Sequence, residues 1–399
     1  MAQPSYLSAQ EAAEELKISV ATLYSYVSRG LIRSEATQEK SRAKRYSAAD
    51  VQKLKQKQDY RRNPGQAAQA SIHWGMPVLD SSITLIENGQ LYYRGRNALE
   101  LSETKLFEVV AAYLWTGSFA ADHLFNQRVN ISYFQNQPLA QLSPIERFQH
   151  YIPLIAAQDL AGYDTSPQGV QQTGARVLQT LTAIVTGQSQ FESIASALQK
   201  AWAPDNLAAQ RPIEAALILC ADHELNVSAF TARCIASAGS TLYQVVLGGL
   251  SALQGKKHGG HTTRVQAMLD EITGDVVPKL TSIVKRGDEI PGFWQPLYPD
   301  GDPRGRKLIQ LAEGFQVDGG ALAEARSTVE FVTEHLGRYP NLDFGLVTLS
   351  RTLQLPAEAP LIIFALGRIS GWIAHALEQY SSDELIRPRA RYVGLPVDG

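Results

Sequence analysis

The chain is poor in cysteine. Cys220 and Cys234 are the only two in 399 residues, and both fall in apolar segments with helical spacing. Two buried thiols are expected there rather than a disulfide, and with them a reducing, cytoplasmic setting. No run of about 18 consecutive apolar residues occurs, so no membrane span is expected. The opening "MAQPSYLSAQEAAEELK" lacks the apolar stretch of a secretory signal. There is no G-x-G-x-x-G and no Walker motif. The eight histidines show no metal-ligand spacing. Neither a cofactor nor a metal is expected. Strands do not alternate with helices along the chain, which argues against a doubly wound sheet.

What is present divides unevenly. Residues 1–65 hold 12 Lys and Arg against 7 Asp and Glu, whereas the remainder is acidic. A basic module joined to an acidic body points to two kinds of partner. In the first segment Ser8 and Glu11 have capping-box spacing, and Ala12, Ala13 and Leu16 form an inner face. Ser19 can cap a second helix with Val20, Leu23 and Val27 inward, stopped by Arg29-Gly30. The polar, basic stretch "IRSEATQEKSRAKRYS" reads as a hairpin, and Ser47 with Asp50 opens a third helix. "QDYRRNPGQAAQASIH" marks a linker.

From about residue 74 the pattern changes once. "VLDSSITLIENGQLYYRGRNALEL" reads as a hairpin around Asn88-Gly89, ending at Tyr93-Arg94-Gly95. Helical periodicity follows, beginning with "LSETKLFEVVAAYLWTG", where Ser102 is expected as a cap and Gly117 as the stop. "PIEAALILCADHELNVSAFTARCIASAG" reads as one helical segment. Its Asp222, His223 and Glu224 either line a cavity or form one exposed polar turn. His258 precedes Gly259-Gly260 and a helix start. The helix dipole there favours a neutral imidazole, and a capping histidine is the plainer alternative. Asp343, before an apolar helix, is either its N-cap or a general base. Arg368 interrupts an apolar helix with no carboxylate three or four residues away. It either meets an anion from elsewhere or snorkels to solvent.

Two resemblances follow. "ATLYSYVSRGLI" and "KRYSAADV" resemble the MerR-type helix-turn-helix module with its wing. That resemblance implies phosphate neutralisation by Arg33, Arg42, Lys44 and Arg45, with Thr22, Tyr24 and Ser25 toward the major groove, in a protein that presents two copies. A small helical domain used for protein contacts is the alternative. "YRGRNALEL", "ADHELNVSAFTAR", "KHGG", "PGFWQPLYPDGDPR", "YPNLDFG", "FALGRISGWIAHALEQ" and "RPRARYVG", in that order, resemble the citrate synthase family over residues 75–399. The resemblance implies a mainly α fold: a small N-terminal winged helix-turn-helix domain at 1–60 and a linker at 61–73. A large helical domain at 74–258 and 346–399 and a small one at 259–345 complete it. It also implies a homodimer that condenses acetyl-CoA with oxaloacetate to give citrate and CoA. Asp343 is then the base, His258 the donor to the enol oxygen, and His223, Arg304, Arg368 and the partner's Arg387 hold oxaloacetate.

One motif departs from the family. Its pattern Gly-Phe-Gly-His or Gly-Tyr-Gly-His, whose histidine protonates the new alkoxide, becomes Gly292-Phe293-Trp294-Gln295. Glutamine keeps a hydrogen bond but has no proton to transfer, which implies a weakened reaction, and Trp294 adds bulk where substrate would pack. After "HGG" the usual Ala-Asn is His261-Thr262, and His261 is a candidate substitute acid. Three readings compete: an acyltransferase, a metabolite-sensing DNA-binding regulator, and a subunit that lends Arg387 to an intact relative.

Overall fold

The computed structural model describes residues 6–36, 44–48, 50, 51, 54, 79–120, 122–125, 141–315 and 320–395. They fall into two units, Met1–Asp80 and Ser81–Gly399. Arg42 and the expected linker at 61–73 lie outside the described residues.

The first unit contains β1 (Tyr6–Leu7), α1 (Ala9–Leu16), α2 (Val20–Ser28), β2 (Ser34–Ala36) and β3 (Lys44–Ser47). The Ser8 hydroxyl accepts the Glu11 N–H at 3.2 Å, and the Glu11 carboxylate accepts the Ser8 N–H at 2.8 Å. Two orphan donors are thereby satisfied, which is why α1 starts there. Ser19 caps α2 through the Thr22 N–H. Gly30, at φ 72°, lets the chain reverse after it. The basic stretch is the expected hairpin, with Ser34 opposite Tyr46 and Ala36 opposite Lys44. β1 adds to the far side of β3, a strand too short for alternation to reveal. Ala12, Leu16, Leu23, Ile32, Tyr46 and Val51 form this unit's core; Val20 is only half-buried.

The second unit opens with β4 (Thr84–Glu87), β5 (Gln90–Tyr93) and β6 (Arg96–Asn97). Asn88 and Gly89, at φ 52° and 71°, make the turn whose twist suits two paired strands. The helices that follow are α3 (Ala98–Thr104), α4 (Phe107–Thr116), α5 (Pro144–Ala156), α6 (Pro167–Thr186), α7 (Ile194–Trp202) and α8 (Gln210–Cys220). Then come α9 (Val227–Ser237), α10 (Leu242–Leu253), α11 (Gly260–Ile272), α12 (Val276–Lys285), α13 (Pro303–Glu313), α14 (Ala321–Leu336), α15 (Leu342–Thr352) and α16 (Ala359–Ser382).

Several local expectations are corrected. Ser102 is no cap: it lies inside α3, where its hydroxyl donates to the Leu99 carbonyl, and Asn97 caps that helix. The segment read as one helix is two. α8 ends at Cys220, α9 starts at Val227 under an Asn226 cap, and Asp222, His223 and Glu224 occupy the break. Cys220 is buried but Cys234 only half so. α16 does match a bilayer span by length and composition, with an 18-residue window of mean hydropathy 1.4. That window is 94% buried inside the protein, as in a core helix.

Two cores organise the second unit. The larger packs α3–α10 around α16. The smaller draws on Val265, Leu269, Leu280, Ile283, Phe293 and Val332. α15 serves both: Leu342, Leu346 and Leu349 face the larger, Phe344 and Val347 the smaller. Its first turn therefore lies where the cores meet. α16 approaches α8 closely because Gly367 and Gly371 lack side chains; a Cβ at either would stand 2.5 or 2.4 Å from the Leu217 or Ala221 carbonyl oxygen.

Two buried glutamates close the larger core. Glu214 accepts the Phe107 N–H that opens α4, and Glu108 accepts the Ile194 N–H that opens α7. Burial, then the nearby Glu108, pushes Glu214 up to about 8. Its folded pKa exceeds the unfolded one, so its contribution is full below about pH 4.5 and is lost as pH rises toward 8. Thermal unfolding should show wild-type stability falling across pH 5–8, and Glu214→Gln, which keeps an acceptor, should flatten that fall. Equal slopes in the two proteins would refute this account.

Candidate active site

The loop 290–302 is held by a few bonds. The Trp294 N–H donates to the Tyr339 carbonyl at 2.8 Å, and the Asn341 N–H donates to the Gly292 carbonyl at 2.9 Å. Asn341, not Asp343, caps α15: its Oδ1 accepts the Asp343 and Phe344 N–H groups. That frees the Asp343 carboxyl from the capping role open to it in the sequence. At the loop's end Asp302, 2% exposed, gathers four donors. Arg304 gives its backbone N–H and Nε to Oδ1 (both 3.0 Å) and Nη2 to Oδ2 (2.7 Å), and the Leu342 N–H reaches Oδ2 at 3.2 Å. One carboxylate thus starts α13, fixes Arg304 and anchors α15. Burial works against the Arg304 charge, but Asp302 outweighs it and holds the guanidinium above its ordinary range.

Arg368 is 1% exposed, so it does not snorkel. Its Nε donates to the Cys220 carbonyl at 2.7 Å. That carbonyl is an orphan at the end of α8, where the dipole favours a cation. Its guanidinium lies over the Phe364 ring at 4.9 Å. Burial lowers its proton affinity and Asp222 opposes that, yet a guanidinium stays charged. No carboxylate forms an ion pair with it among the described residues.

The three polar residues after α8 part ways. Asp222 points into the core, accepts the Thr84 hydroxyl at 2.6 Å and lies 3.3 Å from His375 Nε2. Glu224 is half-buried at φ 51°. His223 faces the arginines: its Nε2 is 3.1 Å from the Tyr298 hydroxyl. Burial, then the charges of Arg304 and Arg368, holds it neutral well below the usual histidine range. Arg304 in turn lies under the Tyr298 ring at 5.4 Å.

His258 is lowered to about 3, first by burial and then by Arg368 and His261. It is neutral, as the sequence suggested, but burial rather than a helix dipole is the main cause. Its Nε2 is 2.8 Å from the Ser228 hydroxyl, which also receives the Trp372 Nε1–H at 3.1 Å. The Ser228 hydroxyl donates to Asn226 Oδ1 at 2.8 Å, and the same oxygen accepts the Ser228 and Ala229 N–H groups. Asp343 is raised by burial, against the Thr262 hydroxyl that donates to Oδ1 at 2.8 Å and the charge of His261. A carboxyl and an imidazole with oppositely shifted proton affinities thus share one cluster with two guanidinium groups.

At Gln295 the side-chain oxygen accepts the Leu297 N–H at 2.8 Å. Only its NH₂ remains to donate. Trp294 takes φ 75°, a conformation natural to the glycine it replaces, and is 58% exposed rather than filling the crevice. Arg387 lies exposed in the helix-free segment after α16, outside this cluster. In the first unit Lys44, Arg45 and Tyr24 are exposed. Arg33 is already held by Asp50, Nε–Oδ2 at 2.8 Å and Nη2–Oδ1 at 3.0 Å. The Thr22 hydroxyl is 2.8 Å from that of Ser19 within the α2 cap. Asp302, Ser228, Tyr298 and Thr262 were not singled out from sequence. Only Asp302 carried a signal, the Asp-Pro pair of a helix start.

A family model described as citrate synthase, C-terminal domain, matches residues 72–389. The chain belongs to the citrate synthase family. A second model, described as helix-turn-helix domain, matches residues 6–59. Citrate synthase 2 of Bacillus subtilis is 28% identical over 356 residues, covering 80% of this chain and 94% of its own. Citrate synthase from Thermotoga maritima superposes with a TM-score of 0.68 at 27% identity, over 82% of this chain and 95% of that one. At 22% identity, the citrate synthase of Thermoplasma acidophilum, solved with carboxymethyl coenzyme A and oxaloacetate, shares the fold with a TM-score of 0.70. That match covers 81% of this chain and 96% of the other.

Removing one partner of a buried ion pair leaves an uncompensated charge, at a cost of about 3–5 kcal/mol. Asp302→Asn should lower unfolding stability by that order in a denaturant titration. A loss under about 1 kcal/mol would mean Arg304 finds other support.

Proposed function

We propose that the second unit condenses acetyl-CoA, or a related acyl-CoA, with oxaloacetate to give citrate and CoA. The observation that carries this reading is the pairing of a neutral imidazole with a carboxyl of raised proton affinity, beside two buried guanidinium groups. Asp343 takes a proton from the thioester methyl group. A base whose pKa is moved toward neutrality is better matched to a weak carbon acid. The His258 imidazole donates to the developing enol oxygen. The enol carbon then attacks the ketone, and hydrolysis of the thioester releases CoA.

The two carboxylates of oxaloacetate meet His223, Arg304 and Arg368. Arg368 supplies the net positive charge, since Asp302 already balances Arg304. In a homodimer Arg387 reaches the partner's site. Gln295 donates one hydrogen bond where the family pattern has histidine. Because that bond survives while the transferable proton does not, a loss of about 10²–10³ in rate is expected. CoA release with acetyl-CoA and oxaloacetate tests the reading. Slow wild-type turnover, raised about tenfold or more by Gln295→His, supports it. No turnover in either protein defeats it.

The fused first unit favours an added role in DNA binding, with the exposed Lys44, Arg45 and Tyr24 as the contacts and Arg33 weakened by Asp50. In that regulatory reading the second unit senses oxaloacetate, citrate or an acyl-CoA rather than turning it over efficiently. The absence of a transferable proton at Gln295 favours it. Binding to duplex DNA should fall steeply with salt, and Lys44→Ala or Arg45→Ala should each reduce the salt slope by about 1. Salt-independent or absent binding would remove this role.

A further inference from the structure

His261 occupies a place the mechanism above leaves unused. It lies in the first turn of α11, and its N–H donates to the His258 carbonyl at 2.9 Å. The next residue, Thr262, gives its hydroxyl to Asp343 Oδ1 at 2.8 Å. One turn of chain therefore carries the enol donor, His261, and the group that holds the base. His261 Nδ1 is buried and has no hydrogen-bond partner among the described residues. Leaving a polar atom so placed costs about 1–3 kcal/mol. A plain helix position needs no such group, so the cost points to a use in the crevice. Its imidazole is near enough to bear on both His258 and Asp343.

We propose that His261 is a further catalytic residue that supplies, through its imidazole, the transferable proton Gln295 lacks; this rests on the condensation reading. As the enol carbon bonds to the ketone carbon, the carbonyl π pair moves onto oxygen. An N–H bond of the His261 imidazolium breaks, and the proton forms the new O–H. The proton Asp343 took from the methyl group then passes to the neutral imidazole, restoring both groups. The proton count closes within the site, with no oxidant or added reactant.

The test is His261→Gln, which keeps a polar side chain of similar reach but no transferable proton. Two readouts are compared. Exchange of acetyl-CoA methyl hydrogens into D₂O, with malate as a dicarboxylate lacking the ketone, reports enolisation. CoA release with oxaloacetate reports the whole reaction. The expected result is exchange within about threefold of wild type and CoA release down about 10²–10³-fold. Adding Gln295→His should restore release to within tenfold, because the acid returns to position 295. The proposal is overturned by a variant that releases CoA like wild type. It is equally overturned by one that loses both readouts without rescue, or by wild type that exchanges but never condenses. Wild type that does neither defeats the condensation reading itself, and this inference with it.

Discussion

The buried carboxylate of Asp302 is the constraint on which the site depends. It accepts three donors from Arg304 and the N–H of Leu342, so it binds the starts of two helices at once. α13 and α15 cannot separate there without stranding a charge away from water, which is costly in a protein interior. Everything nearby inherits this geometry. Arg304 is fixed under Tyr298, Tyr298 reaches His223, and Asp343 enters on the first turn of α15. The loop carrying Gln295 is stitched to 339–341 just beside that turn.

Burial sets the chemistry of this cluster more than any single partner. It is the leading cause of the low proton affinity of His223 and His258 and of the raised affinity of Asp343. Uncharged imidazoles and a reluctant carboxylate are what a low-dielectric crevice imposes. Arg368 stays charged there because a guanidinium holds its proton and because the end of α8 offers it a carbonyl. The same end of α8 is where the chain breaks to place His223. A helix stop and a cation's partner are thus one feature.

Much of this was legible one residue at a time. The Ser8–Glu11 box, the Ser19 cap, the Asn88-Gly89 turn and the Gly117 stop depend on atoms within four residues of each other, so spacing reveals them. The motifs carrying His258, Asp343, Arg304 and Arg368 were visible because their order along the chain resembles that of the family, while local spacing left each of them an alternative. The break between α8 and α9 was not. Its residues are flanked by apolar helix formers on both sides, and only packing against α16, allowed by Gly367 and Gly371, rewards an interruption. Ser102 failed as a cap because Asn97, five residues earlier, starts the helix first.

Sequence alone determined the two modules, the helical character of the larger one, the family, and the loss of a titratable group at 295. Each is a property of residue identity and local order. Only the tertiary structure decided that Asn341 rather than Asp343 caps α15 and that the Gln295 oxygen is occupied by its own loop. It alone placed Trp294 outward, linked Ser228 to His258, and gave Asp302 its four donors. The last three depend on desolvation and on groups 30 to 40 positions apart meeting in space, as Ser228 meets His258 and Asp302 meets Leu342. No local pattern encodes such meetings, because a side chain's partner and its burial are set by the whole fold.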